Sequence, residues 1–207
     1  MNISDIFKYE SVEDFISAKG QDYCDRMAEI LSLALTRDAN LYEWCILNFN
    51  DIMDKDKAAI EYIFEKIGFI KDFFLAKDPE GVKECRFSNY GSLLARGLKD
   101  YFKDELSYGQ CWGLGMIAVS NISYKRQLLS KEEFYEIRDM FVPFGLTISL
   151  DKYDVDSVLD IIKGYDDYED EMADFVLLKK IGKAAFYKNV SEDEIKAALS
   201  ELYVEWD

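Results

Sequence analysis

The sequence contains no histidine among its 207 residues. Imidazole is the side chain that titrates near neutral pH and the most common nitrogen ligand of zinc, so its absence excludes histidine-based acid–base catalysis and most catalytic zinc sites. Proline is nearly as scarce, with only Pro79 and Pro143 in the chain. Because proline interrupts helices, this scarcity favours long helices.

Two further features are absent from the sequence: paired cysteines and a long apolar run. No two cysteines form a CxxC pair, so neither a thiolate zinc site nor a disulfide framework is predicted. Reduced thiols are expected at Cys24, Cys45, Cys85 and Cys111. The amino-terminal residues show no signal-peptide pattern, and no apolar run approaches the length of a membrane span. We therefore expect a soluble, cytoplasmic protein.

Negative charge dominates the composition, with 41 acidic against 25 basic residues and a net charge of -16. Such a surface repels phosphate backbones and anionic lipids, so we expect neither nucleic acid nor a membrane as a partner. Solubility is the simpler interpretation of this charge. An acidic decoy that binds a basic protein is a further function class that the charge allows.

Helical periodicity with capping signals runs through most of the sequence. Helices are predicted after Ser11, over 22–36, after Asp38, over 54–76, 89–103 and 109–125, and after Ser130, Asp154 and Ser191. Two strand-like runs, 175–178 and 184–187, predict a hairpin that turns at Ile181 and Gly182. The expected fold is mainly α, multi-helical, with one small β-hairpin near residues 174–188, in a single domain over 1–207.

Small residues and aromatic residues add two expectations about packing. Gly109, Gly113 and Gly115 lie within one predicted helix, which indicates tight packing or a former binding site. The spaced phenylalanines of the helix at 54–76 are expected to be mostly core, with some covering surface that a further domain would otherwise cover.

Short segments spread over residues 20–202 occur in a characteristic order: 27–30 (MAEI), 89–91 (NYG), 108–110 (YGQ), 115–116 (GM), 128–130 (LLS), 141–146 and 175–184 (FVLLKKIGKA). Together they resemble the C-terminal domain of the 3-dehydroquinate synthase family. In that family an N-terminal domain holds NAD, and the helical C-terminal domain supplies a zinc site and most substrate contacts. The resemblance implies carbon–oxygen lyase chemistry of the shikimate pathway, which serves aromatic amino acid biosynthesis. No glycine fingerprint follows a predicted strand here, so the NAD-binding domain is predicted to be absent.

The zinc site of the family requires one glutamate and two histidines. Glu29 matches the glutamate, whereas Ser92 and Tyr108 fall on the histidine positions. Serine and tyrosine are poor replacements for neutral imidazole, and one carboxylate cannot hold the metal alone. We therefore predict that both zinc and NAD are lost and that the chain has no cofactor and no catalytic residue.

Other positions of the family's site are divided between retained and replaced residues. Lys71 and Asn89 match a substrate-binding lysine and an asparagine, whereas Arg96 replaces a histidine and Gln110 a glutamate. Ser32 stands where the family has a lysine. Two late lysines fall on Asp166 and Asp167, and the alignment shifts at 83–86, so the family's arginine has no assigned counterpart. The predicted remnant site comprises Glu29, Lys71, Asn89, Ser92, Arg96, Tyr108 and Gln110.

Two interpretations of this remnant site remain open. Its polar residues converge to bind a ligand, or Glu29 and Arg96 form an internal salt bridge where the metal once lay. In either case the resemblance predicts a pseudoenzyme: a 3-dehydroquinate synthase-like protein that is non-catalytic and binds a protein or a small ligand. The alternative is a subunit of a shikimate-pathway or sugar-phosphate cyclase enzyme that is completed by a separate NAD-binding chain.

A domain without its partner domain should expose an apolar face, unless polar residues replace the apolar ones or another surface covers them. Phe73-Phe74, Tyr101-Phe102 and the tail 203–206 are the candidates for such a face. We therefore expect a homo-oligomer or a separate protein partner to cover it.

Overall fold

The structure is a computed structural model that describes residues 9, 11–77, 89–165, 168–169 and 172–203. Within these residues it has ten α-helices and one three-stranded antiparallel sheet. The helices are α1 Val12–Ser17, α2 Gln21–Arg37, α3 Ala39–Leu47, α4 Phe49–Met53, α5 Lys57–Lys77, α6 Ser92–Phe102, α7 Tyr108–Lys125, α8 Lys131–Met140, α9 Val155–Lys163 and α10 Glu192–Ser200. The mainly α fold predicted from the sequence is confirmed.

Side-chain caps begin the helices where the sequence predicts them. Ser11 accepts a hydrogen bond from a backbone N–H of the first turn of α1, and Asp38 and Asp154 do the same for α3 and α9. Ser130 and Ser191 open α8 and α10 through complete capping boxes. Each cap satisfies backbone donors that the helix itself cannot pair, so these boundaries follow from local chemistry.

The long helix predicted over 54–76 begins later than expected. The short helix α4 ends at Met53, and Lys55 has a left-handed φ of 61°, which no helix can include. Asp56 then accepts a hydrogen bond from the N–H of Ala59 at 2.9 Å and starts α5 at Lys57. The turn predicted at 77–81 falls mostly outside the described residues.

The predicted hairpin is present and longer than its apolar runs. β2, Met172–Lys180, pairs antiparallel with β3, Lys183–Ser191, and the two-residue strand β1, Tyr168–Glu169, adds a third strand that the sequence did not indicate. Gly182 at the turn has a φ of 77°, and its N–H donates to the carbonyl of Leu35 at 2.8 Å. The hairpin tip is thereby attached to the C-terminal end of α2.

Helix α7 lies at the centre of the fold, with α2, α6, α8, α10 and β2 packed around it. Most of its residues are buried. A Cβ atom on Gly115 would lie only 2.3 Å from the carbonyl oxygen of Gly91, and one on Gly109 only 2.4 Å from the Cα of Asp25. The small residues of α7 therefore let α2 and the start of α6 approach at backbone contact, which is the tight packing predicted from the sequence.

None of the described helices is long and apolar enough to cross a membrane. The phenylalanines of α5 are less buried than the sequence predicted. Phe74 is buried and Phe64 is half-buried, whereas Phe69 and Phe73 are exposed by 60% and 55%. Tyr101 and Phe102 are half-buried, and both rings pack against Tyr153.

Candidate functional site

The seven predicted site residues come from four helices and one helix entry. Glu29 lies on α2, Lys71 on α5, Asn89 before α6, Ser92 and Arg96 on α6, and Tyr108 and Gln110 at the start of α7. Six of them fall into three small groups, and Gln110 belongs to a hydrogen-bond chain with Gln21 and Asp25.

The first group is centred on Glu29, which interacts electrostatically with both Lys71 and Tyr9. Burial lowers the pKa of Lys71, and the nearby Glu29 carboxylate opposes that shift. Burial together with the same carboxylate raises the pKa of Tyr9 to about 12. A half-buried acid thus lies beside a half-buried amine, the arrangement expected of a retained polar pocket or of an internal ion pair.

The second group is centred on Arg96, whose guanidinium lies 4.0 Å from the ring centroid of Tyr165. The Tyr165 hydroxyl donates to a carboxylate oxygen of Asp100, and burial is the main reason that its pKa rises to about 12. Arg96 also lies near Tyr108: burial raises the pKa of the Tyr108 hydroxyl, and the positive charge of Arg96 opposes that rise. Arg96 thus makes a cation–π contact with Tyr165, which the sequence did not predict, and its charge also acts on Tyr108.

The third group forms the entry to α6. The Ser92 hydroxyl donates to the Asn89 carbonyl at 3.0 Å, and the Trp112 indole N–H donates to the Tyr90 carbonyl at 2.8 Å. The Tyr90 hydroxyl is buried and lies 2.5 Å from the hydroxyl of Ser120. These contacts fix the backbone before α6 against α7.

Asp25 is the residue at this junction that the sequence analysis missed. Its carboxylate accepts hydrogen bonds from Gln21 at 2.8 Å and from Ser107 at 2.6 Å. The Gln110 amide in turn donates to the side-chain oxygen of Gln21 at 3.1 Å. Asp25 precedes Glu29 by four residues and so shares its face of α2, a spacing that could have identified it.

The side chains of Ser92 and Tyr108, which the sequence predicts at the zinc positions, do not have the chemistry of zinc ligands. The Ser92 hydroxyl is engaged with a local carbonyl, and the raised pKa of Tyr108 keeps its hydroxyl neutral, so neither supplies an anionic or imidazole ligand. Lys71 brings positive charge near Glu29, and Arg96 brings it near Tyr108. Throughout the described ranges, no three Asp, Glu, Cys or His side chains gather as metal ligands.

The remaining predicted positions lie in the interior or outside the described residues. Ser32, at the position of a family lysine, is buried in the interior. The acids predicted to replace late lysines, Asp166 and Asp167, lie outside the described residues, as does the segment 83–86 where the alignment shifts.

Comparison with known proteins gives a consistent family assignment. The sequence model of the family described as 3-dehydroquinate synthase C-terminal matches residues 26–167. The 3-dehydroquinate synthase of Acetivibrio thermocellus is 23% identical over 197 residues, covering 95% of this chain and 55% of the relative. That of Clostridium beijerinckii is 26% identical over 167 residues, covering 79% of this chain and 47% of the relative. The chain spans about half the length of the relatives it matches.

Solved structures share the fold. The 2-epi-5-epi-valiolone synthase ValA of Streptomyces hygroscopicus, solved with NAD+ and Zn2+, superposes with a TM-score of 0.79 at 19% identity, over 93% of this chain and 54% of ValA. A 2-deoxy-scyllo-inosose synthase solved with carbaglucose-6-phosphate, NAD+ and Co2+ superposes with a TM-score of 0.68 at 18% identity, over 86% and 51%. With most of its length matched in sequence and fold, this chain belongs to the 3-dehydroquinate synthase C-terminal family.

Proposed function

We propose that this chain is a non-catalytic member of its family that binds a small polar ligand or a protein without zinc or NAD. The chemical identity of the side chains at the predicted zinc positions supports the proposal best. Ser92 and Tyr108, at the positions predicted for the two histidines, carry hydroxyls, which leaves Glu29 as the one anionic side chain of the predicted ligand set. Carbon–oxygen lyase chemistry of the cyclase type needs a Lewis acid and a hydride acceptor, and these residues supply neither.

The cations at the junction favour an anionic ligand. Lys71 is half-buried beside Glu29, and Arg96 lies near Tyr108. A carboxylate or phosphate group on a small molecule would complement either cation, and hydroxyl groups on the same molecule would suit the polar side chains around them. Binding without turnover is therefore the role that these side chains support.

The sharpest test restores the family's ligand set. The double variant Ser92→His, Tyr108→His adds two imidazoles to Glu29, and catalytic zinc sites are built from such His₂Glu sets. We expect this variant to bind zinc at least roughly a hundredfold more tightly than the original chain, because one carboxylate alone is a weak site. Equilibrium dialysis with metal analysis measures the difference.

Two comparisons make the result decisive. Adding Glu29→Gln to the double variant should abolish the gained zinc affinity, which identifies Glu29 as the third ligand. The original chain, given NAD+, zinc and the phosphate-bearing substrate of the family, should release no inorganic phosphate. Phosphate release by the original chain, or zinc binding as tight as that of the double variant, would show the proposal to be wrong.

A separate NAD-binding chain is the competing proposal. It is motivated by the length of the relatives, of which this chain spans about half, and by the exposed Phe69 and Phe73 on α5. Co-expression with an isolated NAD-binding domain of a relative, followed by size-exclusion chromatography and an assay of phosphate release, tests it. A stable active complex would favour the enzyme-subunit role over the non-catalytic one.

A further inference from the structure

The hairpin of β2 and β3 carries a charge opposite to that of the chain as a whole. Residues 175–191 contain four lysines and no acidic residue, whereas the complete chain has a net charge of -16. Three of these lysines flank the turn at the end of the hairpin, are exposed, and form the basic tip: Lys179, Lys180 and Lys183. The basic tip includes none of the seven candidate site residues, so it is a separate feature of the fold.

The charge of the basic tip is not balanced by the described part of the chain. Lys180 and Lys183 are direct partners in the register of β2 and β3, so two like charges oppose each other. Like charges in this position destabilise a hairpin. The ion pairs among the described residues lie on other elements, and none includes a lysine of the basic tip. Stability of the chain alone does not explain this arrangement, whereas an acidic partner would compensate it.

The backbone of the basic tip is fixed. The N–H of Gly182 donates to the Leu35 carbonyl at 2.8 Å, and a Cβ on Gly182 would lie only 2.4 Å from the backbone nitrogen of Ala39. Ile181 is half-buried and packs against the core. The turn therefore presents its lysines from a set position, and its backbone needs no ordering when a partner binds.

The strand beside the basic tip has an open edge. β3 is the last strand of the sheet and pairs only with β2. The N–H of Leu178 on β2 donates to the Ser123 hydroxyl on α7 at 3.2 Å, so it points away from β3. Leu178 lies opposite Ala184, and opposite residues of an antiparallel pair turn their backbone groups either both toward or both away from each other. The N–H and C=O of Ala184, next to Lys183, therefore face the open edge.

The open edge has room for a further strand, and its charge selects which strand fits. Gly182, Lys183 and Ala184 line one side of a cavity of about 290 Å³ beside the end of α2. A second copy of β3 would add like charges, and edge lysines commonly prevent the pairing of identical strands in this way. An extended segment that carries carboxylates would instead gain from the lysines.

We propose that this edge is a docking surface for an extended acidic segment of another protein, which adds a strand to β3 and places carboxylates against the basic tip. Strand addition supplies main-chain hydrogen bonds, and the lysines supply the preference for acidic side chains. At physiological ionic strength the Debye length is about 8 Å, so the negative charge of the rest of the chain is screened more than the contact at the tip. The inference does not depend on the proposed function, because the two surfaces share no residue.

The test uses the full chain at an ionic strength of about 0.15 M and three capped hexapeptides. The first alternates glutamate and threonine, the second has glutamine for each glutamate, and the third has proline for each threonine. Titration with the first peptide should shift the NMR amide signals of residues 179–186 and protect the N–H of Ala184 from hydrogen exchange. This peptide should bind at least about fivefold more tightly than the glutamine peptide, the upper range for one exposed ion pair. The proline peptide should bind as weakly as the glutamine peptide, because proline lacks the N–H that a strand donates.

Two double variants separate the basic tip from the general field of the protein. Lys180→Gln with Lys183→Gln should reduce the preference for the glutamate peptide over the glutamine peptide to about twofold or less, because one tip lysine remains. This variant should also keep or raise the Tm, since the opposed charges are removed. Lys19→Gln with Lys152→Gln removes the same charge from exposed positions outside the hairpin and should leave the preference unchanged.

Equal affinity for the glutamate and glutamine peptides would overturn the inference, as would equal effects of the two double variants. Equally tight binding of the proline peptide would mean that the basic tip attracts anions without strand addition, which also contradicts the proposal. Sedimentation measures self-association. If the original chain formed a dimer that the Lys180, Lys183 double variant dissolved, the edge would belong to a second copy of the chain and not to an acidic partner.

Discussion

Replacing Gly115 by alanine tests the backbone contact on which the α6–α7 junction depends. The added Cβ would lie 2.3 Å from the Gly91 carbonyl oxygen and 3.0 Å from the backbone nitrogen of Ala95. These two atoms also form the first hydrogen bond of α6, at 2.9 Å. Because the obstacle is backbone, the substitution must push α6 away from α7 or break that bond.

The magnitude follows from two opposing effects. Overpacking of a well-packed interior costs up to about 3 kcal/mol, whereas alanine in place of glycine within a helix gains about 1 kcal/mol. We expect Gly115→Ala to lower the free energy of unfolding by about 2 kcal/mol. In a domain of this size that corresponds to a decrease in Tm of about 4 to 8 °C.

Gly113, two residues earlier on the same helix, provides the matched control. A Cβ at this position would meet its nearest atoms, on Leu146 and Thr147, at 3.7 to 3.9 Å, which is ordinary contact. Gly113→Ala should therefore raise the free energy of unfolding by up to about 1 kcal/mol. Urea and thermal unfolding followed by circular dichroism measure both variants. If Gly115→Ala were as stable as Gly113→Ala, the close contact between α6 and α7 would be refuted.

Two further predictions concern polar contacts. Hydrogen bonding to Arg126 is the main reason that the pKa of Glu194 falls to about 2, so the resulting stability is present above the usual carboxyl range and disappears as pH falls from about 4.5 to 2. Glu194→Gln should therefore cost about 1 kcal/mol at neutral pH, given the partial exposure of the pair. The cost should shrink as pH falls through about 2, where the carboxyl is half protonated. A pH-independent difference in urea unfolding would contradict this. Ser107→Ala should lower the free energy of unfolding by about 1.5 kcal/mol, because it removes both the α7 cap and the hydrogen bond to Asp25. Ser130→Ala, which removes a cap alone, is the control in the same thermal unfolding experiment. Equal losses of stability in the two variants would mean that the Asp25 contact contributes nothing.

Helix boundaries were predictable where a side chain makes them. Ser11, Asp38 and Ser130 cap backbone N–H groups within three residues, so their effect is local and readable from spacing. The start of α5 was not predictable, because the charged residues before it continue a helical pattern. The break depends on the left-handed backbone of Lys55, which no spacing rule indicates.

The candidate site was predictable in its positions but less in its contacts. Matching to the family identified Glu29 and Lys71, and the Glu29 carboxylate acts electrostatically on the pKa of Lys71. The contact between Arg96 and Tyr165 instead depends on where the end of α9 meets α6, a long-range outcome of packing. The exposure of Phe69 and Phe73 also depends on long-range packing, because helical spacing alone does not show which elements will cover a given side of a helix.

The attachment of Gly182 to Leu35 also has a consequence for the order in which the chain folds during synthesis. The two residues are separated by on the order of 150 positions, and ribosomes add about 5 to 20 residues per second. The end of α2 and the phenyl rings of α5 are therefore made roughly ten seconds before the hairpin that completes their surroundings. During that interval these phenyl rings are not yet covered on the side where the hairpin will pack. A nascent chain halted before β2 should therefore be captured by chaperones that recognise exposed apolar segments.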